Sequence, residues 1–230
     1  MASRLFMQYP RGGSLHVGGQ GLGLAFLTAG GCLAAWTDGP AFSYPHRTGA
    51  AVTLADGSIL FVGGLNSTDV AATEYSERTS VDGTTVSVIA NQGIGLKYAS
   101  GCLAADGKVY ATGEGQTALY VYNPATDTWT STTARATAFG KYEVCVAYVN
   151  GGHNKIATAG PNGAYNYDIN AGTWSAAAGA WSNRDGMGWC RTGLSGCMAA
   201  AIGGGAAGAD GNAISFFDDT ANSWETAGLY

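Results

Sequence analysis

The sequence of 230 residues predicts an all-β fold, a five-repeat β-propeller with four antiparallel strands per blade. Three observations lead to this prediction. A segment recurs about every 40 to 50 residues, a period typical of propeller blades. Each copy contains two apolar strands around a tight turn, and the second strand ends in glycine. An aromatic strand follows, and in most copies a tryptophan comes after it.

The first two strands of each copy are predicted to form a hairpin. In the clearest copy, residues 47–64, the pair Asp56-Gly57 separates two apolar stretches. Asp-Gly and Asn-Gly pairs tolerate the positive φ that a tight hairpin turn demands. Similar pairs recur at Asp106-Gly107 and Asn150-Gly151. The glycines that end the second strands are Gly18-Gly19, Gly63-Gly64, Gly113, Gly160 and Gly203-Gly204.

The third and fourth strands are predicted from aromatic residues. The third strands carry Tyr75, Tyr120 with Tyr122, Tyr165 with Tyr167, and Phe216 with Phe217. The downstream tryptophans are Trp36, Trp129, Trp174 and Trp224. The second copy has no tryptophan and offers the strand 85–90 instead. Turn-forming residues between the two strands support a hairpin here as well.

This pattern of apolar strand, Asp-Gly, apolar strand, double glycine, spaced tyrosine and spaced tryptophan resembles the kelch repeat. The resemblance covers nearly the whole chain, from Arg4 to Trp224. It implies that the double glycine ends the second strand of a blade and that the tyrosine and tryptophan pack between blades. Gly113-Glu114 and Gly160-Pro161 depart from the double glycine. Five copies are fewer than the family usually has, so the chain forms either a small ring or a partial ring completed by another chain.

The composition fits one domain spanning residues 1–230. With 46% hydrophobic residues, the chain can bury a full core. Its 37 glycines suit short strands joined by many tight turns. The first copy is degenerate, and its innermost strand is expected from residues 4–9. The predicted repeats are 4–44, 45–92, 93–138, 139–182 and 183–230.

Charge and hydropathy exclude several classes of partner. The net charge is −5 with only 11 basic residues, whereas a surface that follows nucleic acid needs clustered Lys and Arg. The first ten residues lack the apolar core of a signal peptide, and no stretch is long and apolar enough to cross a bilayer. We therefore expect a soluble protein without a signal peptide, located in the cytoplasm or in a virion.

The five cysteines are an odd number. Cys102 and Cys145 fall at predicted innermost-strand positions among small or apolar neighbours, where a free thiol packs as a small hydrophobe. Cys190 and Cys197 are seven residues apart, and the sequence leaves open whether they form a disulfide. No cysteine pair has the spacing of zinc ligands.

Catalytic candidates are few, and we expect neither a cofactor nor a metal. The three histidines, His16, His46 and His153, do not match the spacing of a kelch-like copper oxidase site. Most acidic residues lie in turns, where Asp and Asn bond nearby backbone. Glu143 differs because it opens a predicted innermost strand. A glycosidase needs a second acid, and none is evident.

Basic residues form one candidate binding set. Arg47, Lys97, Lys141 and Arg191 are each predicted to precede an innermost strand, and Arg4 has a similar place in the first copy. The kelch resemblance implies that an arginine at this point faces the central channel on one rim and often contacts the partner. Such a ring could hold a carboxylate or an acidic peptide. The alternative is that each residue only bonds carbonyls at a blade edge.

The predicted insertion 179–189 is a second candidate surface. It carries Trp181 and Trp189 together with a methionine and an arginine, the kinds of residue that dominate interface hot spots. Exposed tryptophans in a chain of mostly small residues would favour a partner. The alternative is that both tryptophans tuck beneath their own loop.

These observations predict a non-enzymatic kelch-like propeller that serves as a protein-interaction or structural subunit of a larger assembly. Its partners would be other protein subunits or further copies of itself. A bacteriophage virion component, such as a tail, nozzle or decoration protein, fits the composition and small size by analogy. A glycan-binding propeller is the alternative, and a small glycoside hydrolase using Glu143 is a third class.

Overall fold

The computed structural model describes residues 38–66, 71–141, 143–150 and 153–179, together with the strands at 188–194, 197–202, 214–218 and 223–227. The regular structure of these residues consists of 17 β-strands, which lie in one compact unit, Pro40–Tyr230. Within these ranges, no helix is long or apolar enough to cross a membrane. The prediction of an all-β fold is confirmed for this part of the chain.

The strands form four sheets in chain order. Sheet I contains β1 (Ala50–Thr53), β2 (Ile59–Val62), β3 (Ser76–Thr79) and β4 (Val86–Val88). Sheet II contains β5 (Ser100–Leu103), β6 (Val109–Thr112), β7 (Tyr120–Asn123) and β8 (Thr128–Ser131). Sheet III contains β9 (Val144–Asn150), β10 (His153–Gly160), β11 (Gly163–Asp168) and β12 (Thr173–Ala176).

Sheet IV contains β13 (Ala178–Gly179), β14 (Gly188–Leu194), β15 (Cys197–Ile202), β16 (Ile214–Asp218) and β17 (Ser223–Ala227). Every sheet has four sequential antiparallel strands, as the repeats predict. Strand β13 is an addition that pairs parallel with β17 at the outer edge of sheet IV. The predicted first repeat, 4–44, lies almost entirely outside the described residues.

Aspartate side chains build the predicted hairpin turns. In sheet I, Ser58 donates to Asp56 through its backbone N–H at 3.0 Å and through its hydroxyl at 2.7 Å. Gly57 supplies the positive φ of 91°. These Ser58 bonds, with Arg78 nearby, lower the pKa of Asp56. Sheet II repeats the turn, and Asp106 accepts the backbone N–H of Lys108 at 3.1 Å.

The predicted aromatic spacing produces the same cross-strand pair in three sheets. Tyr122 lies directly opposite Trp129 in sheet II, and Tyr167 lies opposite Trp174 in sheet III. In both pairs the ring centroids are 5.1 Å apart. In sheet IV, residue 217 is opposite residue 224 in the same register. Aromatic cross-strand pairs of this kind stabilise a sheet, so the repeat is present in register as well as in sequence.

The core lies between neighbouring sheets. The first strands of sheets I, II and III, which we call the inner strands, contact one another in chain order. Tyr148 of sheet III contacts Phe217 of sheet IV with ring centroids 5.2 Å apart. Cys145 is buried and Cys102 half-buried, and both are free thiols on inner strands, as predicted. Burial raises the pKa of Cys145 to about 12.

The segment leading into a sheet passes the outer strand of that same sheet. In sheet II the Trp129 indole N–H donates to the Ala90 carbonyl at 2.9 Å. In sheet III the Trp174 indole N–H donates to the Thr133 carbonyl at 2.8 Å. In sheet IV the corresponding segment forms β13 and bonds through its backbone. Tryptophan therefore ties the linker to the outer edge in two sheets.

Candidate binding surface

Three basic residues lie at one end of the inner strands. Arg47, Lys97 and Lys141 each stand three positions before the first residue of β1, β5 and β9. Because these strands contact one another in chain order, their N-terminal ends are neighbours. We call the three residues the basic row. It contains three of the four basic residues that the sequence predicts for a ring.

The backbone fixes the turns that carry the row. Leu65 donates its N–H to the Arg47 carbonyl at 2.6 Å, and Glu114 donates its N–H to the Lys97 carbonyl at 2.9 Å. In sheets I and II an equivalent hydrogen bond therefore joins the basic residue to the segment that follows the second strand of its sheet. The Ala99 N–H also donates across the sheets to the Thr48 carbonyl at 2.9 Å.

The side chains of the row have different surroundings. Lys97 Nζ is 2.7 Å from Glu114 Oε2, and the two side chains are 44% and 31% exposed. This ion pair raises the pKa of Lys97. Lys141 Nζ lies 4.4 Å from the centre of the Tyr98 ring, within the range of a cation–π contact. Arg47 is exposed.

Arg191 does not belong to the row, and the prediction that it precedes an inner strand is wrong. It lies inside β14 and pairs with Ala199. The first pair of this hairpin, Gly188 with Ile202, corresponds to Ser100 with Thr112 in sheet II. By this register Arg191, in the middle of β14, corresponds to Leu103 within β5 and not to Lys97 before it. The letters Arg-Thr-Gly repeat those at residue 47, but β14 begins before them and contains a bulge after residue 191.

The two predicted hot-spot tryptophans are only partly located. Trp189 lies within β14 and pairs with Ala201, so it does not belong to an insertion loop, and that prediction is wrong. Trp181 is outside the described residues, as are the side chains of Trp189 and Arg191. The register also places Cys190 opposite Ala200, three residues from Cys197. That offset is about 10 Å along a strand, too far for a disulfide.

A buried ion pair lies in the segment that leads into sheet III. Arg135 and Glu143 are 4% and 1% exposed. The guanidinium donates to the two carboxylate oxygens at 2.5 and 2.9 Å. Its other N–H groups donate to the carbonyls of Thr137 at 2.6 Å and Ala138 at 3.0 Å. Gly140 donates its N–H to the same carboxylate at 2.8 Å. Both charges are therefore fully engaged inside the protein.

A second buried pair lies in sheet I. The side chains of His46 and Glu77 are 6% and 0% exposed, and His46 Nε2 is 2.9 Å from Glu77 Oε2. His46 Nδ1 is 2.7 Å from the Gly63 carbonyl oxygen. The Glu77 carboxylate also accepts the backbone N–H groups of Ser43 at 2.8 Å and Tyr44 at 3.0 Å. The pair holds the segment before β1 against β3.

These contacts bear on the catalytic candidates. Glu143 cannot reach a substrate in this arrangement because Arg135 and Gly140 occupy its oxygens below the surface. His46 bonds Glu77 and a backbone carbonyl in a similar way. Among the described residues, no group of three or more His, Cys, Asp or Glu side chains is placed to hold a metal ion.

Sequence reasoning missed a groove at the outer strand of sheet III. Its volume is about 490 Å³, and residues 133–136 of the linker face residues 172–176 across it. Trp174 and Tyr165 provide its aromatic lining. The spacing of Trp174 in the sequence predicts a structural role for this residue. The only sequence signal for a groove beside it is the pair of small residues Ala134 and Ala136. We call this feature the Trp174 groove.

Comparison of the sequence with models of known protein families gives no match. Comparison with curated proteins gives none either.

Proposed function

We propose that this chain is a kelch-like β-propeller of five repeats that acts as a non-enzymatic interaction or structural subunit of a larger assembly. In this proposal the basic row receives an acidic segment of a protein partner. The supporting observation is that Arg47, Lys97 and Lys141 precede three neighbouring inner strands at the same end.

The charge of the chain favours an acidic partner at this place. The protein as a whole carries a net charge of −5, so a row of three bases is a local reversal of sign. Lys97 already bonds one carboxylate, that of Glu114. Exposed ion pairs of this kind contribute only about 0–1 kcal/mol. A partner carboxylate can therefore replace Glu114 at little cost.

The surroundings of the row make it a rigid platform. Backbone hydrogen bonds hold the carbonyls of Arg47 and Lys97, and the Tyr98 ring supports Lys141. The two buried ion pairs fix the segments that lead into sheets I and III. A surface that is ordered before binding loses less conformational entropy when the partner docks.

The proposed kind of assembly rests on the composition and small size of the chain, not on the basic row. A bacteriophage tail, nozzle or decoration protein is one subunit of this kind, by analogy. The hydrolase alternative has less support, because the position of Glu143 gives it a structural role.

The proposal is tested with a fluorescently labelled oligo-glutamate peptide and anisotropy at low salt. The double variant Arg47→Gln/Lys141→Gln should bind about tenfold more weakly, since it removes two charge contacts of about 0.5–1 kcal/mol each. The matched control is Lys108→Gln/Lys155→Gln, which changes the net charge equally away from the row. Equal weakening in both double variants would contradict the proposal, because it would reflect net charge alone.

A further inference from the structure

The Trp174 groove contains an aromatic surface with a fixed orientation. The indole N–H of Trp174 is occupied by the Thr133 carbonyl at 2.8 Å. Tyr167 and Phe139 contact the indole, with centroid distances of 5.1 and 5.9 Å. These contacts hold the ring at the wall of the groove. A ligand would therefore meet a rigid aromatic group, which lowers the entropic cost of binding.

The groove carries no uncompensated charge among its described lining residues. Arg135 is the charged residue of the lining, and it is 4% exposed. Its guanidinium bonds both oxygens of Glu143 and stacks 3.7 Å from the centre of the Phe139 ring. Its charge is thus compensated by the Glu143 carboxylate. A neutral ligand fits this environment better than an anion or a cation.

Small and hydroxyl-bearing residues form the rest of the lining. Thr173 and Ser175 are exposed on β12, and Ala134 and Ala136 are exposed on the linker. Thr133 donates its hydroxyl to the Gly172 carbonyl at 2.8 Å, which leaves the oxygen able to accept a hydrogen bond.

The equivalent tryptophan of sheet II has different neighbours. Trp129 makes the same indole hydrogen bond to its linker, but that linker contributes Ile89 and Ile94 to the packed core around it. Beside Trp174, the linker instead contributes Ala134 and Ala136 to the groove lining. Counted from the carbonyl that accepts the indole N–H, Ala134 and Ala136 correspond to Asn91 and Gly93 in the other linker, so different residue types border the two tryptophans.

From these observations we infer that the Trp174 groove binds a neutral pyranose sugar of a glycan. The apolar C–H face of the sugar would stack on the indole, and its hydroxyls would bond Thr133, Thr173 and Ser175. Binding sites commonly combine an aromatic wall with a few placed polar groups, and the groove volume lies in the usual range for small ligands. This site lies at an outer strand, and the inference does not depend on the basic row.

The test is saturation-transfer NMR with four neutral probes: the methyl glycosides of glucose, galactose and mannose, and N-acetylglucosamine. Glucuronate serves as the charged comparison. The variant Ala134→Phe fills the groove from an exposed position without altering Trp174. Ala125→Phe is the matched control, since Ala125 is an exposed alanine in the turn between β7 and β8.

We expect saturation transfer to the ring C–H protons of at least one neutral sugar, with loss of at least nine-tenths of that signal in Ala134→Phe. Ala125→Phe should keep the full signal. Three results would each overturn the inference: no transfer to any neutral sugar, equal transfer in both alanine variants, or stronger transfer to glucuronate than to every neutral sugar. Far-ultraviolet circular dichroism confirms that each variant keeps its strand content.

Discussion

Sheets I and III use different side chains to bond the backbone of the segment that precedes their first strand. Each sheet begins with a segment whose backbone N–H groups must be bonded when buried. In sheet III, Glu143 accepts the Gly140 N–H, and Arg135 supplies the compensating positive charge. In sheet I, Glu77 accepts two such N–H groups, and His46 is its side-chain partner.

The carboxylates come from different places in the repeat. Glu77 lies on β3 opposite Phe61, at the register position that Tyr120 and Tyr165 occupy in sheets II and III. Glu143 instead belongs to the segment that leads into its own sheet. The anchor in sheet I therefore joins parts of the chain 31 residues apart, whereas that in sheet III spans eight.

The two partners also differ in how they contact the carboxylate. The guanidinium of Arg135 donates to both oxygens of Glu143 in a fork. The imidazole of His46 contacts one oxygen of Glu77 through Nε2 and the Gly63 carbonyl through Nδ1. The comparison teaches that the repeat accepts different polar anchors, provided that both charge and backbone are satisfied.

The largest effect should come from Glu143→Gln. This change leaves the buried Arg135 charge without a counter-ion and should lower the free energy of unfolding by about 3–5 kcal/mol. Urea unfolding monitored by tryptophan fluorescence measures it. Glu114→Gln is the control, because the partly exposed ion pair of this glutamate with Lys97 should contribute no more than about 1 kcal/mol. Equal effects of the two changes would show that the buried pair has no special role.

A smaller loss is expected for Glu77→Gln. His46 keeps its contact with the Gly63 carbonyl, so the cost should be about 2 kcal/mol, mainly from weaker bonds to the backbone N–H groups of Ser43 and Tyr44. The same urea experiment ranks the two variants. If Glu77→Gln costs more than Glu143→Gln, the proposed difference between histidine and arginine is incorrect.

The indole hydrogen bonds of Trp129 and Trp174 should contribute less to the free energy of unfolding than the His46–Glu77 or Arg135–Glu143 pair. Trp129→Phe and Trp174→Phe each remove one indole hydrogen bond to a linker carbonyl and should cost about 1 kcal/mol from that bond, with a further loss of packing. The indole hydrogen bond of Trp129 is partly buried and that of Trp174 is exposed, so Trp129→Phe should be the more destabilising. Thermal unfolding of both variants checks the order, and the reverse order would argue against an open groove at Trp174.

The smallest effect is a loss of stability at alkaline pH, and it should not depend on the His46–Glu77 or Arg135–Glu143 pair. Burial, with a hydrogen bond to Asp127, raises the pKa of Tyr122 from 10.0 to about 12. A group whose pKa is raised by folding stabilises the protein below its unfolded pKa, and this stabilisation is lost as pH rises through the folded value. Stability should therefore decline between pH 10 and 12, and less steeply in Tyr122→Phe. If urea unfolding shows the same decline of stability with pH in the wild type and in Tyr122→Phe, Tyr122 is not the cause of that decline.

Much of the fold could be predicted because its signals are local. The Asp-Gly pair at residue 56 specifies a turn within a few residues, and the spacing of Tyr122 and Trp129 specifies a cross-strand pair. The placement of Arg191 failed because three matching letters do not define where a strand begins.

The candidate site was less predictable because it depends on contacts between distant segments. The sequence identifies Glu143 as unusual, but only the course of the linker reveals Arg135 as its partner. In the same way, nothing near His46 points to Glu77. The Trp174 groove arises from small residues beside a regular tryptophan, a pattern with no strong sequence signal.

The central claim is that the basic row receives carboxylates of a partner, and zero-length cross-linking tests it most directly. A carbodiimide joins a carboxylate to a lysine amine only when the two are in contact. With an oligo-glutamate peptide in solution, mass spectrometry should find the peptide on Lys97 and Lys141, and the internal link between Lys97 and Glu114 should decrease. Peptide found as often on Lys108 and Lys155, with the internal link unchanged, would contradict the claim.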